Sequence, residues 1–265
     1  MAEYTESWLK LEEALGSRPG LSGSTDELRT AYNSLTAALA TQYPPASSHV
    51  TAEDGTLGSG DAYRVYAPAK LSSPDGSVAI YFHSGGFALG DLDSEDQLCR
   101  MLAEAGGIVL VSIGYRLAPE HKALAQVDDG MEGLEWAAAN AARLEGQSSL
   151  EKLRLLVIGV SAGGELALPV TRRVVLDAFP ALGAGSYTSD RNYPPTCIAV
   201  CENDPLRDDG RVVAGQLTAG GVRVKSKVYK GPPHCFWIFP TLPETAGFVQ
   251  DTVEGIQWVL NGDKP

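Results

Sequence analysis

The sequence predicts an α/β protein with a mostly parallel central sheet flanked by helices. From Ala62 onward, strand-like and helix-like segments alternate, the pattern of parallel strands joined by crossover helices. Val78 to His83 reads as a strand, and Ile108 to Tyr115 is a continuous apolar run, as a strand buried on both faces should be. Of the 265 residues, 44% are hydrophobic, enough for a large core.

The chain opens with two helices. "SWLKLEEAL" ends at Gly16, a C-cap residue. "STDELRTAYNSLTAALAT" begins with Ser24 and Glu27 at the spacing of a capping box. "QYPPASS" is a linker. "AYRVYAP" and "VAIYFH" then read as strands. Leu98, Met101, Leu102 and Ala105 share one helix face. "IVLVSIGY" is the next strand, and Val127, Met131, Leu134 and Ala138 mark the next helix. "RLLVIG" and, more weakly, "VVLDAF" (Val174 to Phe179) read as strands. "TCIAVC" and "VRVKSKVY" follow as strands, separated by a helix around "GRVVAGQLTAGG". Val249, Val253, Ile256 and Leu260 give the last helix its apolar stripe.

Charge and composition exclude several classes. A net charge of −12 repels a phosphate backbone and an anionic membrane surface, so neither nucleic acid nor a membrane is an expected partner. No signal-peptide pattern and no membrane-length apolar stretch is visible. Four cysteines in a chain this long make no disulfide framework, so a cytoplasmic protein is expected. No dinucleotide or P-loop motif and no ligand cluster implies a cofactor or metal; the expected cofactors are none.

"LLVIGVSAGGELAL" carries the chemistry. Gly159-Val160-Ser161-Ala162-Gly163 is a G-x-S-x-G between a strand and a helix. In a nucleophile elbow the turn is so sharp that side chains at the flanking positions collide, which the glycines avoid. Ser161 would stand at the strand's C-terminal end, with the Ala162 N–H aimed at the same spot from a helix N-terminus. The motif also occurs in plain strand-to-helix turns, so the remaining parts must be found independently. A serine hydroxyl needs a base, and in the order serine, acid, histidine only His234 of the four histidines follows Ser161. The acid lies among Glu165, Asp177, Asp190, Glu202, Asp204, Asp208 and Asp209. Its expected place after "TCIAVC" leaves Glu202 and Asp204, of which Asp204, clear of the strand end and before Pro205, is favoured. Asp208 and Asp209 fit the start of the following helix. "FHSGGFALGD" places Gly85 and Gly86 after a strand, where backbone N–H groups can approach an oxyanion.

Taken together, "HSGGF", "GYRLAPEH", "GVSAGG", "DPLRDDG" and "HCFW" resemble the hormone-sensitive-lipase family of α/β hydrolases, from about Tyr63 to the C-terminus. The resemblance implies an α/β-hydrolase fold and the nucleophile Ser161, the acid Asp204 and the base His234. It also implies oxyanion donors at Gly85, Gly86 and Ala162, and a structural role for Arg116 and Glu120. It divides the chain into an N-terminal helical cap segment, 1–45, and a catalytic domain, 46–265. Departures are Ser84 for the first glycine of H-G-G-G, Val160 for an acidic residue, and Cys235 for the glycine after the histidine. Pro169 should kink or shorten the helix after the elbow. The largest departure is that only "PALGAGSYTSDRNYPP" stands where the family carries cap helices, so a reduced cap is expected.

The expected function is a serine carboxylesterase acting on small acyl esters, with Phe87, Phe236 and Trp237 walling a short apolar pocket. A homodimer is compatible with the sequence. Two other readings stand beside it. One is a repurposed lyase, cyclase or transferase of specialised metabolism, since fold does not fix reaction. The other is a non-catalytic binding protein like the plant gibberellin receptor, which resembles the family but has lost its catalytic histidine; this chain keeps His234.

Overall fold

The structure, a computed structural model, describes residues 3–20, 22–72, 76–146, 153–178 and 193–261. It forms two compact units: Leu21–Thr171, and Met1–Gly20 with Arg172–Pro265.

The larger unit is built on a five-stranded sheet of order β1-β2-β4-β3-β5. Its strands are β1 (Val50–Thr56), β2 (Ala62–Pro68), β3 (Ser77–Phe82), β4 (Val109–Ile113) and β5 (Arg154–Gly159). β1 and β2 form an antiparallel hairpin, and β2 runs antiparallel to β4. β3 is parallel to both β4 and β5. Every residue of β3 and β4 is buried, which is what their unbroken apolar runs require. Successive side chains of a strand point to opposite faces. Tyr81 accordingly reaches Glu95 at the start of α3 (Asp96–Gly106). Its neighbour Phe82 meets Gly130 of α4 (Ala125–Leu144) on the other face. α3 buries Leu98, Cys99 and Leu102; α4 buries Met131, Leu134, Ala137 and Ala141. α2 (Thr25–Ala40) starts at the capping box: Ser24 Oγ accepts from Glu27 N, and Glu27 Oε2 accepts from Ser24 N at 2.8 Å.

In the smaller unit, β6 (Thr196–Asn203) pairs in parallel with β7 (Val224–Pro233). α6 (Arg207–Ala219) packs on both strands around Leu217, Val222 and Tyr193. α7 (Pro243–Asn261) packs on β6 and on a 3₁₀ turn, Phe236–Ile238. α1 (Glu6–Leu15) belongs to this unit, with Trp8 buried edge-on against Phe239 at 5.6 Å. It ends at Gly16, whose φ of 74° is the left-handed conformation of a C-cap.

Three expectations are corrected. Val174–Ala178, read as a strand, is the last part of helix α5 (Ala162–Ala178); Phe179 lies outside the described residues. Ala162, Leu166 and Val170 are buried at four-residue spacing on one face of α5, and the helix continues through the β-branched pair Val174-Val175. Pro169 does not shorten α5, which runs on to Ala178. β1 was not expected: "VTAEDGT" is polar, largely exposed and carries Gly55. It is a strand because it pairs along its whole length with β2. The connection read as a reduced cap, at 179–192, lies outside the described residues. No helix among the described residues is long and apolar enough to cross a membrane.

Candidate active site

The elbow sits where β5 ends and α5 begins. Ser161 has φ +55°, a conformation that stores strain in a non-glycine residue and concentrates at functional sites. The flanking glycines are sterically required. A Cβ on Gly159 would collide with the carbonyl of Gly163, and one on Gly163 with the carbonyls of Phe82 and His83. All of these obstacles are backbone, so none can swing aside. Gly163→Ala is therefore expected to lower stability by about 1–3 kcal/mol and to reduce activity, because β3 must shift away from the elbow. Urea denaturation checks it; an unchanged midpoint would contradict the crowding.

β3 and β5 are neighbours in parallel, with Phe82 opposite Gly159. The loops that leave them therefore emerge side by side, with Gly85 and Gly86 on one and Ser161 and Ala162 on the other. Both glycines have positive φ, +122° and +62°, and a Cβ on Gly85 would strike the Leu89 carbonyl. The orientation of their N–H groups follows from peptide planarity, since C=O and N–H of one trans peptide point in opposite directions. Ser84 C=O accepts from His83 Nδ1 at 2.6 Å, which fixes Gly85 N–H. Gly85 C=O accepts from Ala88 N at 3.1 Å and Leu89 N at 2.9 Å, which fixes Gly86 N–H. Neither glycine N–H donates a hydrogen bond among the described residues. Ala162 heads α5, where backbone N–H groups lack a partner within the helix.

His83 is buried and stacks on Tyr115, ring centroids 4.2 Å apart. Burial pushes its pKa down, so the ring is neutral and Nδ1 carries the proton given to Ser84. Burial pushes the Tyr115 phenol well up, keeping it a donor to His83 C=O at 2.8 Å. Arg116 and Glu120 hold loops, as the resemblance implied. Arg116 Nε donates to Asp129, itself 1% exposed, at 2.9 Å, and Glu120 accepts from Arg29 at 2.7 and 2.8 Å.

In the smaller unit, His234 follows β7 and Asp204 follows β6. Their side chains meet, Nδ1 to Oδ2, at 2.6 Å. Asp204 Oδ1 accepts from Leu206 N at 2.7 Å, so both carboxylate oxygens are held and the side chain is 9% exposed. A carboxylate only accepts, so His234 Nδ1 donates and Nε2 carries the lone pair. Glu202, two residues before Asp204, gives its backbone carbonyl to Arg207. Asp208 and Asp209 lie in the first turn of α6. Cys235 takes φ +59° and leads into the 3₁₀ turn.

Of the aromatic residues expected to wall a pocket, Phe236 does not. It is 0% exposed and packs against Tyr229, Trp237 and Phe248, filling the core of its unit. Trp237 sits edge-on to the His234 ring at 6.0 Å. Phe87, half-buried with φ +62°, continues the glycine loop. Tyr115 went unnoticed in the sequence; a tyrosine closing a buried apolar strand needs a partner for its hydroxyl, and that was the available signal. Among the described residues no group of three or more His, Cys, Asp or Glu is arranged to hold a metal ion.

A family described as having the alpha/beta hydrolase fold matches residues 79–184 and 176–238. A versiconal hemiacetal acetate esterase of Dothistroma septosporum is 31% identical, over 98% of this chain and 96% of its own. A carboxylesterase of Mycobacterium tuberculosis is 33% identical, over 61% of this chain and 66% of its own. A hyperthermophilic esterase of Pyrobaculum calidifontis superposes with a TM-score of 0.80 at 26% identity, covering 96% of this chain and 98% of that one. The alignment with the Dothistroma protein spans 322 positions, more than the 265 residues of this chain, so that relative carries a stretch with no counterpart here. The family pattern is matched in two segments that overlap at residues 176–184.

Proposed function

The chain belongs to the α/β-hydrolase fold family, in its hormone-sensitive-lipase branch, and from that premise we propose that it is a serine carboxylesterase for small acyl esters. One observation supports the reading: a serine held at positive φ at the end of β5, with two glycine N–H groups oriented by their own peptides on the loop that leaves the neighbouring strand β3. In this reading Ser161 Oγ attacks the ester carbonyl and passes its proton to His234 Nε2. The negative charge on the carbonyl oxygen is received by the N–H groups of Gly85, Gly86 and Ala162. The imidazolium, stabilised by Asp204, returns the proton to the leaving alkoxide. Water then attacks the acyl-enzyme by the same route, releasing the acid and restoring Ser161. In this reading residues 1–45 are the cap segment and 46–265 the catalytic part.

A reduced cap bears on specificity in this reading. Each enclosed CH₂ of an acyl chain contributes roughly 0.8 kcal/mol. With less cap to enclose it, a long chain gains less per added carbon. Phe87 and Trp237 remain as apolar walls. A relative named for an acetate ester fits the short end of the range. The test is kcat/KM on p-nitrophenyl esters from acetyl to dodecanoyl, below and above the micelle point. Short esters are expected to be preferred, with no jump at the interface. A steady rise toward long chains would contradict the open site, and no turnover of any ester would contradict the esterase itself.

A further inference from the structure

We propose that α2 and Glu95 form a brace that positions the oxyanion loop, with Arg29, Tyr32, Ser84 and Glu95 acting as positioning residues for ester hydrolysis. This rests on the reading that Gly85 and Gly86 receive the oxyanion. Ser84 replaces the first glycine of the family's H-G-G-G and is 2% exposed. A glycine there could make no side-chain bond; the serine makes two. Its Oγ lies 2.5 Å from Glu95 Oε1 and 3.1 Å from the Tyr32 hydroxyl.

The direction of these bonds follows from the number of hydrogens. Glu95, 6% exposed, takes the Tyr81 hydroxyl on Oε2 at 2.5 Å and Ser84 N on Oε1 at 3.3 Å. As a carboxylate it only accepts, so the single hydrogen of Ser84 Oγ goes to it. Tyr32 must then donate to Ser84. The result is a buried chain from α2 through Ser84 to the head of α3. One turn before Tyr32, Arg29 donates to the carbonyl of Ala88 at 2.9 Å, and to Ala118 C=O and the Glu120 carboxylate. Gly85 and Gly86 thus lie between two anchors on the same helix, one at Ser84 and one at Ala88. Glycines are free to turn at low cost, so two in succession give well-aimed donors only if the residues on either side are fixed. The serine at 84 and the buried glutamate at 95 supply one fixed side, and Arg29 the other.

Purely structural bonds would affect melting and leave the rate of the folded enzyme alone. A brace affects kcat. Tyr32→Phe and Arg29→Gln are expected to lower kcat roughly ten- to a hundred-fold, the scale of a small misplacement of reacting groups, with KM within about twofold. Inactivation by a fluorophosphonate should slow in parallel, and hydrogen–deuterium exchange should quicken in a peptide covering 83–90. Ser34→Ala, an exposed change on the same helix whose hydroxyl bonds only Thr30 C=O, should alter none of these. Unchanged kcat in both variants, with or without faster exchange, would overturn the brace. If the wild-type protein turned over no ester, the esterase reading would fail on its own. Exchange would then decide the brace: faster in 83–90 supports it, and unchanged overturns it.

Discussion

Ser161→Ala abolishes ester hydrolysis and leaves the protein folded. The loss is expected at about 10⁴- to 10⁶-fold in kcat, the scale for removing a triad nucleophile. The fold should survive because the elbow is held by backbone: Val160 N donates to Phe82 C=O and Gly163 N to Val160 C=O. Ser161→Gly separates strain from chemistry. It is equally inactive, and it relieves a positive φ worth about 1–3 kcal/mol against an unfolded-chain entropy cost of about 0.4–1 kcal/mol. Its Tm should match or exceed that of wild type. A Ser161→Ala enzyme retaining a tenth of the rate would assign the nucleophile elsewhere.

His234→Asn is the second large effect. An asparagine cannot take the serine proton, so the variant should lose most of the rate, on the order of 10⁴-fold or more. Asp204→Asn should be damaged far more than Glu202→Gln. Asp204 holds Nδ1 at 2.6 Å and fixes which nitrogen carries the proton, whereas the Glu202 contact is made through its main chain. A histidine variant that keeps a tenth of the wild-type rate would rule His234 out. A reversed order of the carboxylate variants would move the acid to Glu202.

What could be read in advance followed from strong local constraints. The runs "VAIYFH" and "IVLVSIGY" announced β3 and β4 because strands buried on both faces are mostly apolar along their length. The elbow glycines announced the turn because backbone crowding at 159 and 163 admits no side chain. Residues that depend on distant pairing were not legible. β1 is polar, and only its partner β2 makes it a strand. Val174-Val175 favours a strand locally, yet α5 continues through it. Phe236 beside His234 could have been a pocket wall or a core ring, and burial by Tyr229 and Phe248 decided for the core. The Tyr32–Ser84–Glu95 chain joins three separated segments whose meeting no local pattern encodes.

The whole reaction turns on a covalent acyl-enzyme at Ser161. A fluorophosphonate, with the modified peptide mapped by mass spectrometry, reads this out. One label per chain is expected, on Ser161, with hydrolysis of p-nitrophenyl acetate lost in proportion to labelling and no label on Ser161→Ala. Stoichiometric label on another residue, or full ester turnover in a protein that takes no label, would contradict it.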